Sequence, residues 1–338
     1  MTDIKRIEEL AKLVRYYILR MTTKAGSGHP TSSLSATDIM VALFFGKLRF
    51  DLKNPNDSAN DRMIFSKGHA SPLLYALWGA AGILSKKELD AYRKFKSPLG
   101  GHPTPNFKYV EVATGSLGQG LSIGLGMALA GRLEFQVTGP VSGSSHPTSS
   151  TKSSSKLNQQ SSVGLRALDG TPSAAATRKD LPKVYVLMGD SEMSEGSVWE
   201  AIQLASYHKV GNLVGIIDVN RLGQSGQTML GWDLETYQKR FESFGWETQI
   251  VDGHDLGAII KVLNSLSLSS DKPQMIIAKT VKGKGVSFLE NKEGWHGKVL
   301  SDDQFEEAVK ELGEIDKSIR GEMEMPVKSK IKKLKTKN

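Results

Sequence analysis

Between residues 183 and 281 short apolar runs alternate with amphipathic stretches. In order they read KVYVLMG, SVWEAIQLASYHK, NLVGIIDV, LETYQKRFESFG, WETQIVDG, LGAIIKVLNSL and PQMIIAKTV. Near-continuous apolar runs suit strands buried on both faces, and the stretches between them carry a helical period. The pattern therefore predicts an α/β fold, a parallel sheet with helices on both faces. Ligands of such sheets sit beyond the carboxyl ends of the strands, so the residues following each run are where chemistry is expected.

The first 140 residues read as helices with loops between them. Ile4, Ile7, Leu10, Val14, Ile18 and Met21 recur at helical spacing and predict a helix over 3–23. LSATDIMVALFFGKL predicts a second helix with Ser35 as its N-cap, and GSLGQGLSIGLGMALAG a loop entering a small-residue helix that can pack very closely. Residues 1–312 are expected to form one domain. It is interrupted at about 136–178, where 13 of the 27 residues from Gln136 to Ser162 are Ser or Thr and none is acidic. That composition buries too little apolar surface to offset its ordering entropy, so a disordered surface insert is expected, with order resuming near Thr177. His146 lies inside it and is given no role.

Charge and cysteine content narrow the function classes. The net charge is +8, but six lysines without an acid fall in KSKIKKLKTKN at the C-terminus, which leaves +2 for the rest. Residues 313–338 accordingly read as a basic, solvated tail, and nucleic acid is not an expected partner. No cysteine is present, which excludes disulfides and Cys-ligated metals and suits a reducing, cytoplasmic setting. No apolar run reaches membrane-spanning length, so no membrane partner is expected.

Asp190 closes one predicted strand in GDSEMSEG, and Asn220 closes the next in IIDVNRLGQSG. The two are 30 residues apart, the spacing of a strand–helix–strand unit that sets both strand ends side by side. A carboxylate, an amide oxygen and a nearby carbonyl are hard ligands, suited to Mg²⁺ or Ca²⁺ with phosphate oxygens and water completing the shell. A helix beginning near Ser197 would aim its free N–H groups at the same phosphates. Taken singly, Asp190 is as readily an N-cap and Asn220 a turn residue.

Two glycine loops accompany them. ATGSLGQG offers Gly115, Gly118 and Gly120 for close backbone approach, and KTVKGKG places Lys282 after a strand, within reach of a phosphate. Four of the seven histidines sit among small or charged residues: His29 in GSGHPTSS, His69 in SKGHAS, His102 in GGHPTP and His296 in GWHGK. Such imidazoles can bind substrate oxygens or move protons near neutral pH. No HExxH spacing occurs, which argues against a histidine-bound zinc site.

Taken in chain order, AGSGHPTSS, NDRMIFSKGHASPLLYALW, GGHP, VATGSLGQGL, GDSEMSEGSVWEA, DVNRLGQSG, FGWETQIVDGH, IIAKTVKGKG and EGWHGK resemble the N-terminal half of transketolase. The resemblance runs from about residue 5 to 300. It implies the thiamine-diphosphate-binding fold, and transfer of a two-carbon ketol unit between sugar phosphates in the pentose phosphate pathway. Asp190, Asn220 and the Leu222 carbonyl would hold Mg²⁺, with Ca²⁺ or Mn²⁺ as substitutes. Ser32, Lys67, His69, Gly115, Ser116, Leu117, Gly189, Ser191, Asn220, Lys282 and His296 would line thiamine diphosphate. Glu195 would act at the cofactor from the subunit contact, orienting the catalytic glutamate of the facing domain. His29, His69, His102 and His296 would surround the sugar.

Two departures stand out. The family usually has glycine where this chain has Ser191, and a positive φ there would be costly. A full transketolase also continues into the pyrimidine-binding and C-terminal domains, so the resemblance implies half an active site. The chain is expected to be the N-terminal subunit of a split transketolase, inactive alone and paired with a C-terminal subunit in an α2β2 assembly. Two alternatives stay open: a non-catalytic binding or regulatory paralogue, and a related ketol transferase such as dihydroxyacetone synthase.

Overall fold

The computed structural model describes residues 3–138, 181–267 and 270–326 of the chain. Its elements in order are α1 (Ile4–Ala25), α2 (Pro30–Ser35), α3 (Thr37–Gly46), β1 (Arg62–Phe65), α4 (Ser71–Ala80), α5 (Lys86–Leu89), α6 (Gln119–Thr138), β2 (Val184–Gly189), α7 (Gly196–Tyr207), β3 (Leu213–Val219), α8 (Leu234–Ser243), β4 (Glu247–Asp252), α9 (Leu256–Ser265), β5 (Gln274–Lys279) and α10 (Asp302–Leu312). The strands form one sheet in the order β1-β2-β3-β5-β4, and every pairing is parallel.

Strand parity explains why helices cover both faces. Tyr185, Leu187, Val214, Ile216, Ile276 and Ala278 join the core formed with α1, α3, α4 and α9. Their neighbours Val184, Val186, Met188, Leu213, Ile217, Met275 and Ile277 face the other way, into a core with α6, α7 and α8. Successive residues of a strand point to opposite faces, so a run apolar at every position is what two covered faces require.

Local chemistry fixes the ends of the elements. The Asp3 carboxylate accepts from the amides of Lys5 and Arg6 to start α1, and Gly26 ends it in the left-handed region at φ 58°. α6 lies close against the sheet as its small residues require: a Cβ on Gly124 would stand 2.6 Å from Val186 Cγ2, and one on Gly120 would collide with Ser66.

Three sequence expectations differ from the fold. The second helix is two helices, because the chain breaks at Ala36. Ser35 ends α2 instead of capping α3, and its hydroxyl turns inward to donate to Asp218 Oδ2 at 2.6 Å. β1 carries no sequence signal of its own, being four residues long with only its last two buried. Packing also continues beyond 312. Ile315, Ile319 and Met323 cover the first core, and the Glu324 carbonyl accepts from the Phe50 amide at 2.8 Å. Apart from 136–138, which close α6, the Ser/Thr-rich stretch expected at 136–178 lies outside the described residues, as do Thr177 and the lysines from 328 onward. Among the described residues no helix is long and apolar enough to cross a membrane.

Candidate functional site

The carboxyl ends of β1, β2, β3 and β5 open into one cavity of about 300 Å³. Its wall takes in fourteen residues singled out from the sequence: His29, Ser32, Lys67, His69, His102, Gly115, Leu117, Gly189, Asp190, Ser191, Asn220, Leu222, Lys282 and His296. Ser116 and Glu195 are not on the wall. Both are exposed, and Glu195 sits where the turn after β2 enters α7, beside Gly118. The start of α7 is likewise not on the wall. The turn that reaches the cavity is the short 3-10 segment Ser191–Ser194 ahead of it.

One end of the cavity is built from charges. Asp190 Oδ1 accepts from the Ser191 amide at 2.9 Å, and Oδ2 from the Arg221 amide at 2.8 Å and Thr228 Oγ1 at 3.1 Å. Burial, reinforced by the Asp218 carboxylate, pushes the Asp190 carboxyl up to about 6. Asn220 donates to Ser35 Oγ and Asp218 Oδ2, both at 3.2 Å, which leaves its Oδ1 to accept from the Leu222 amide at 3.1 Å. Lys282 Nζ donates to the carbonyls of Leu222 at 2.8 Å and Gly223 at 3.0 Å, and burial with the nearby Lys67 lowers its pKa to about 8.

Two carboxylates the sequence did not disclose hold this end together. Asp218, fully buried in β3, pairs with the Lys67 ammonium and accepts from the Thr280 hydroxyl. Burial opposes its charge, yet the Lys67 ammonium beside it holds its carboxyl below the usual carboxylate value. Glu192 is 1% exposed and lines the cavity. It accepts from the Ser66 hydroxyl and from the amides of Gly118 at 2.7 Å and Gly189 at 3.1 Å, drawing three loops to one point. Gln224 is the other wall residue not foreseen.

Among the described residues no three His, Cys, Asp or Glu side chains gather to hold a metal. At the Asp190 end the wall carries the Asp190 carboxylate, the Asn220 side-chain amide and Leu222, whose carbonyl accepts from Lys282. That set fits a hard cation whose shell is completed by phosphate oxygens and water, which is how Mg²⁺ is usually held. A cation there would also relieve the raised pKa of Asp190.

The other end is a cluster of imidazoles. The rings of His29, His69 and His296 lie 5.0, 4.9 and 5.2 Å apart, centroid to centroid. Burial lowers all of them, to about 4 for His29, about 3 for His296 and well below the usual value for His69, with Lys67 and Lys282 adding repulsion. His102 is lowered by burial and by Arg93. Lys282 Nζ donates to His296 Nδ1 at 3.0 Å, so that ring is neutral and carries its proton on Nε2. His29 Nδ1 is buried without a hydrogen-bond partner. Gly115, at φ 144°, passes so close to His102 that a Cβ would stand 2.9 Å from the ring, so only glycine fits there.

Ser191 causes no strain. It begins the 3-10 turn and is not among the residues at positive φ, so serine costs nothing there that glycine would avoid. Arg221, whose amide donates to Asp190, is a non-glycine residue in the left-handed region, at φ 63°.

A parallel α/β sheet whose strand ends gather buried carboxylates, two lysines and a glycine loop is the architecture of a domain that holds an anionic cofactor. Comparison with known proteins identifies which kind. The family described as the transketolase, thiamine diphosphate binding domain matches residues 7–140 and 165–337. Human transketolase is 40% identical over 309 residues, 91% of this chain and 42% of the relative. One chain of the apulose-4-phosphate transketolase of Phocaeicola vulgatus, itself named as a subunit, is 33% identical over 312 residues, 92% of this chain and 95% of that one. The crystal structure of transketolase from Campylobacter jejuni superposes with a TM-score of 0.77 at 31% identity, covering 95% of this chain and 45% of the other. The chain thus belongs to the transketolase thiamine diphosphate binding domain family, and spans less than half the length of the full transketolases it matches.

Proposed function

We propose that this chain is the diphosphate-binding subunit of a two-chain transketolase, moving a two-carbon ketol unit from a ketose phosphate to an aldose phosphate. The observation that carries the reading is the cavity itself, in which a hard-oxygen set and two lysines face four neutral histidines. The near-complete match in length to a relative that is named as one subunit of its enzyme supports the two-chain arrangement. Asp190, Asn220 and the Leu222 carbonyl would hold Mg²⁺, and Lys282 would meet the diphosphate. When bound, thiamine diphosphate supplies the carbanion chemistry, and the protein supplies position and electrostatics.

The imidazoles of His29, His69, His102 and His296 are neutral at physiological pH. Each offers one N–H donor and one lone pair to sugar hydroxyls, and can take or return a proton as a hydroxyl becomes a carbonyl. Glu195, exposed beside Gly118, would meet a partner that supplies the glutamate activating the aminopyrimidine, in an α2β2 assembly in the cytoplasm. Ketol transfer from xylulose 5-phosphate to ribose 5-phosphate, assayed on the purified chain alone and after adding a pyrimidine-domain subunit, tests this. Turnover is expected only in the mixture. Full turnover by the chain alone would overturn the two-chain reading.

A further inference from the structure

Lys282 enters the cavity from the loop 281–285, and every residue of that loop is tied down. The Lys282 carbonyl accepts from the Asn291 amide at 2.8 Å, the Gly283 amide donates to the Thr31 carbonyl at 3.0 Å, and the Gly285 amide to Glu290 Oε1 at 3.0 Å. The other two ties come from behind. The Val281 amide donates to His254 Nε2 at 2.9 Å, and Arg15 Nε donates to the Lys284 carbonyl at 3.2 Å. His254 and Arg15 converge on one carboxylate: Asp38 Oδ2 lies 2.8 Å from His254 Nδ1 and 2.6 Å from Arg15 Nη2.

The donors fix the state of this group. A backbone amide can only donate, so His254 Nε2 presents its lone pair, and the ring proton sits on Nδ1 and goes to Asp38. Asp38 is buried, and although burial opposes its charge, the Arg15 guanidinium holds its carboxyl down at about 2. Arg15, Asp38 and His254 are absent from the wall of the candidate site and face a second cavity of about 680 Å³ beyond it. They reach the loop through the backbone on either side of Lys282.

We propose that His254, oriented by Asp38 and Arg15, is a positioning residue that sets the loop 281–285 so that Lys282 stands at the diphosphate end of the cavity. The inference rests on reading that end as a diphosphate site. Three segments far apart in sequence (α1, the start of α3 and the β4–α9 turn) hold one loop from behind, so losing the imidazole frees the backbone before Lys282 without touching the cavity wall. Metal-ligating and catalytic groups fixed in this way characteristically lose 10–100-fold in affinity or activity when the outer partner is removed.

The test has two arms. Hydrogen exchange on the chain without cofactor reads the loop itself. His254→Phe should raise exchange at the Val281 amide at least tenfold, and His254→Gln, which keeps a donor and an acceptor, should recover much of the protection. Asp38→Asn, which preserves shape, should shift exchange in the same direction as His254→Phe should the latter fold poorly. Calorimetry with thiamine diphosphate and Mg²⁺ reads the consequence. His254→Phe should weaken binding about tenfold in the wild-type background and leave a Lys282→Met protein unchanged. Equal losses in both backgrounds, or unaltered exchange at Val281, would overturn the proposal. A wild-type chain that takes up no thiamine diphosphate would defeat the functional reading instead, and the exchange arm would still decide the role of His254.

Discussion

The two ends of the cavity are built on opposite terms. At the Asp190 end the protein answers its own polar groups: Asp190, Asn220, Glu192, Asp218, Lys67 and Lys282 are all hydrogen-bonded or ion-paired inside the fold. At the histidine end the rings pack against one another, and His29 Nδ1 has no partner. The first arrangement fixes charge in advance, so a charged ligand meets dipoles that need no reorganisation. The second keeps hydrogen-bonding capacity unspent, which suits neutral hydroxyls of varied position. Under the proposed function one end would take a constant ligand and the other a changing one.

Substitutions should expose that difference, and the largest effect belongs to the charged end. Asp190→Ala should weaken thiamine diphosphate binding in Mg²⁺ by more than about 100-fold, beyond the range seen when only an outer partner of a metal ligand is lost. Retained affinity by calorimetry would break the comparison at its firmest point. Asp218→Ala leaves the buried Lys67 ammonium without its counter-ion and should cost about 3–5 kcal/mol in urea unfolding. Glu192→Ala leaves the buried Gly118 and Gly189 amides unpaired, for a smaller loss of about 2 kcal/mol by the same measurement.

The histidine end should respond through pH. His29 and His296 stay neutral in the fold down to about 4 and about 3, whereas an unfolded histidine takes a proton at about 6.5. Across that window the unfolded chain binds more protons, so their contribution to stability is complete above about 6.5 and is lost as pH falls toward the folded values. His29→Asn should therefore flatten the dependence of Tm on pH between about 6.5 and 4, while ketol transfer in the two-chain mixture falls. An unchanged slope would show that burial does not govern this ring. The smallest effect is expected at Ser191. Glycine there should lower stability by about 0.5–1 kcal/mol through backbone entropy and bring no gain in cofactor affinity.

Much of this was legible in the sequence, for local reasons. β2, β3 and β5 announce themselves as apolar runs, and the 30-residue interval between Asp190 and Asn220 places them on adjacent strand ends. What stayed hidden depends on segments far apart in the chain. β1 is four residues paired, among the described residues, with β2, which begins at Val184. Glu192 is one acid among several until Ser66, Gly118 and Gly189 converge on it. Asp218 looks like an interruption of an apolar run, and only the arrival of Lys67 makes it a counter-ion. The break at Ala36 follows from the same node, since Ser35 turns to Asp218 rather than capping a helix.

The Asp190 end is proposed to hold a divalent cation and a diphosphate together. Titrating thiamine diphosphate into the purified chain by calorimetry, with Mg²⁺ and then with a chelator, tests it most directly. The predicted result is saturable binding that needs Mg²⁺ and vanishes in Asp190→Ala. Equal affinity with the cation removed, or in the Asp190→Ala protein, would contradict it.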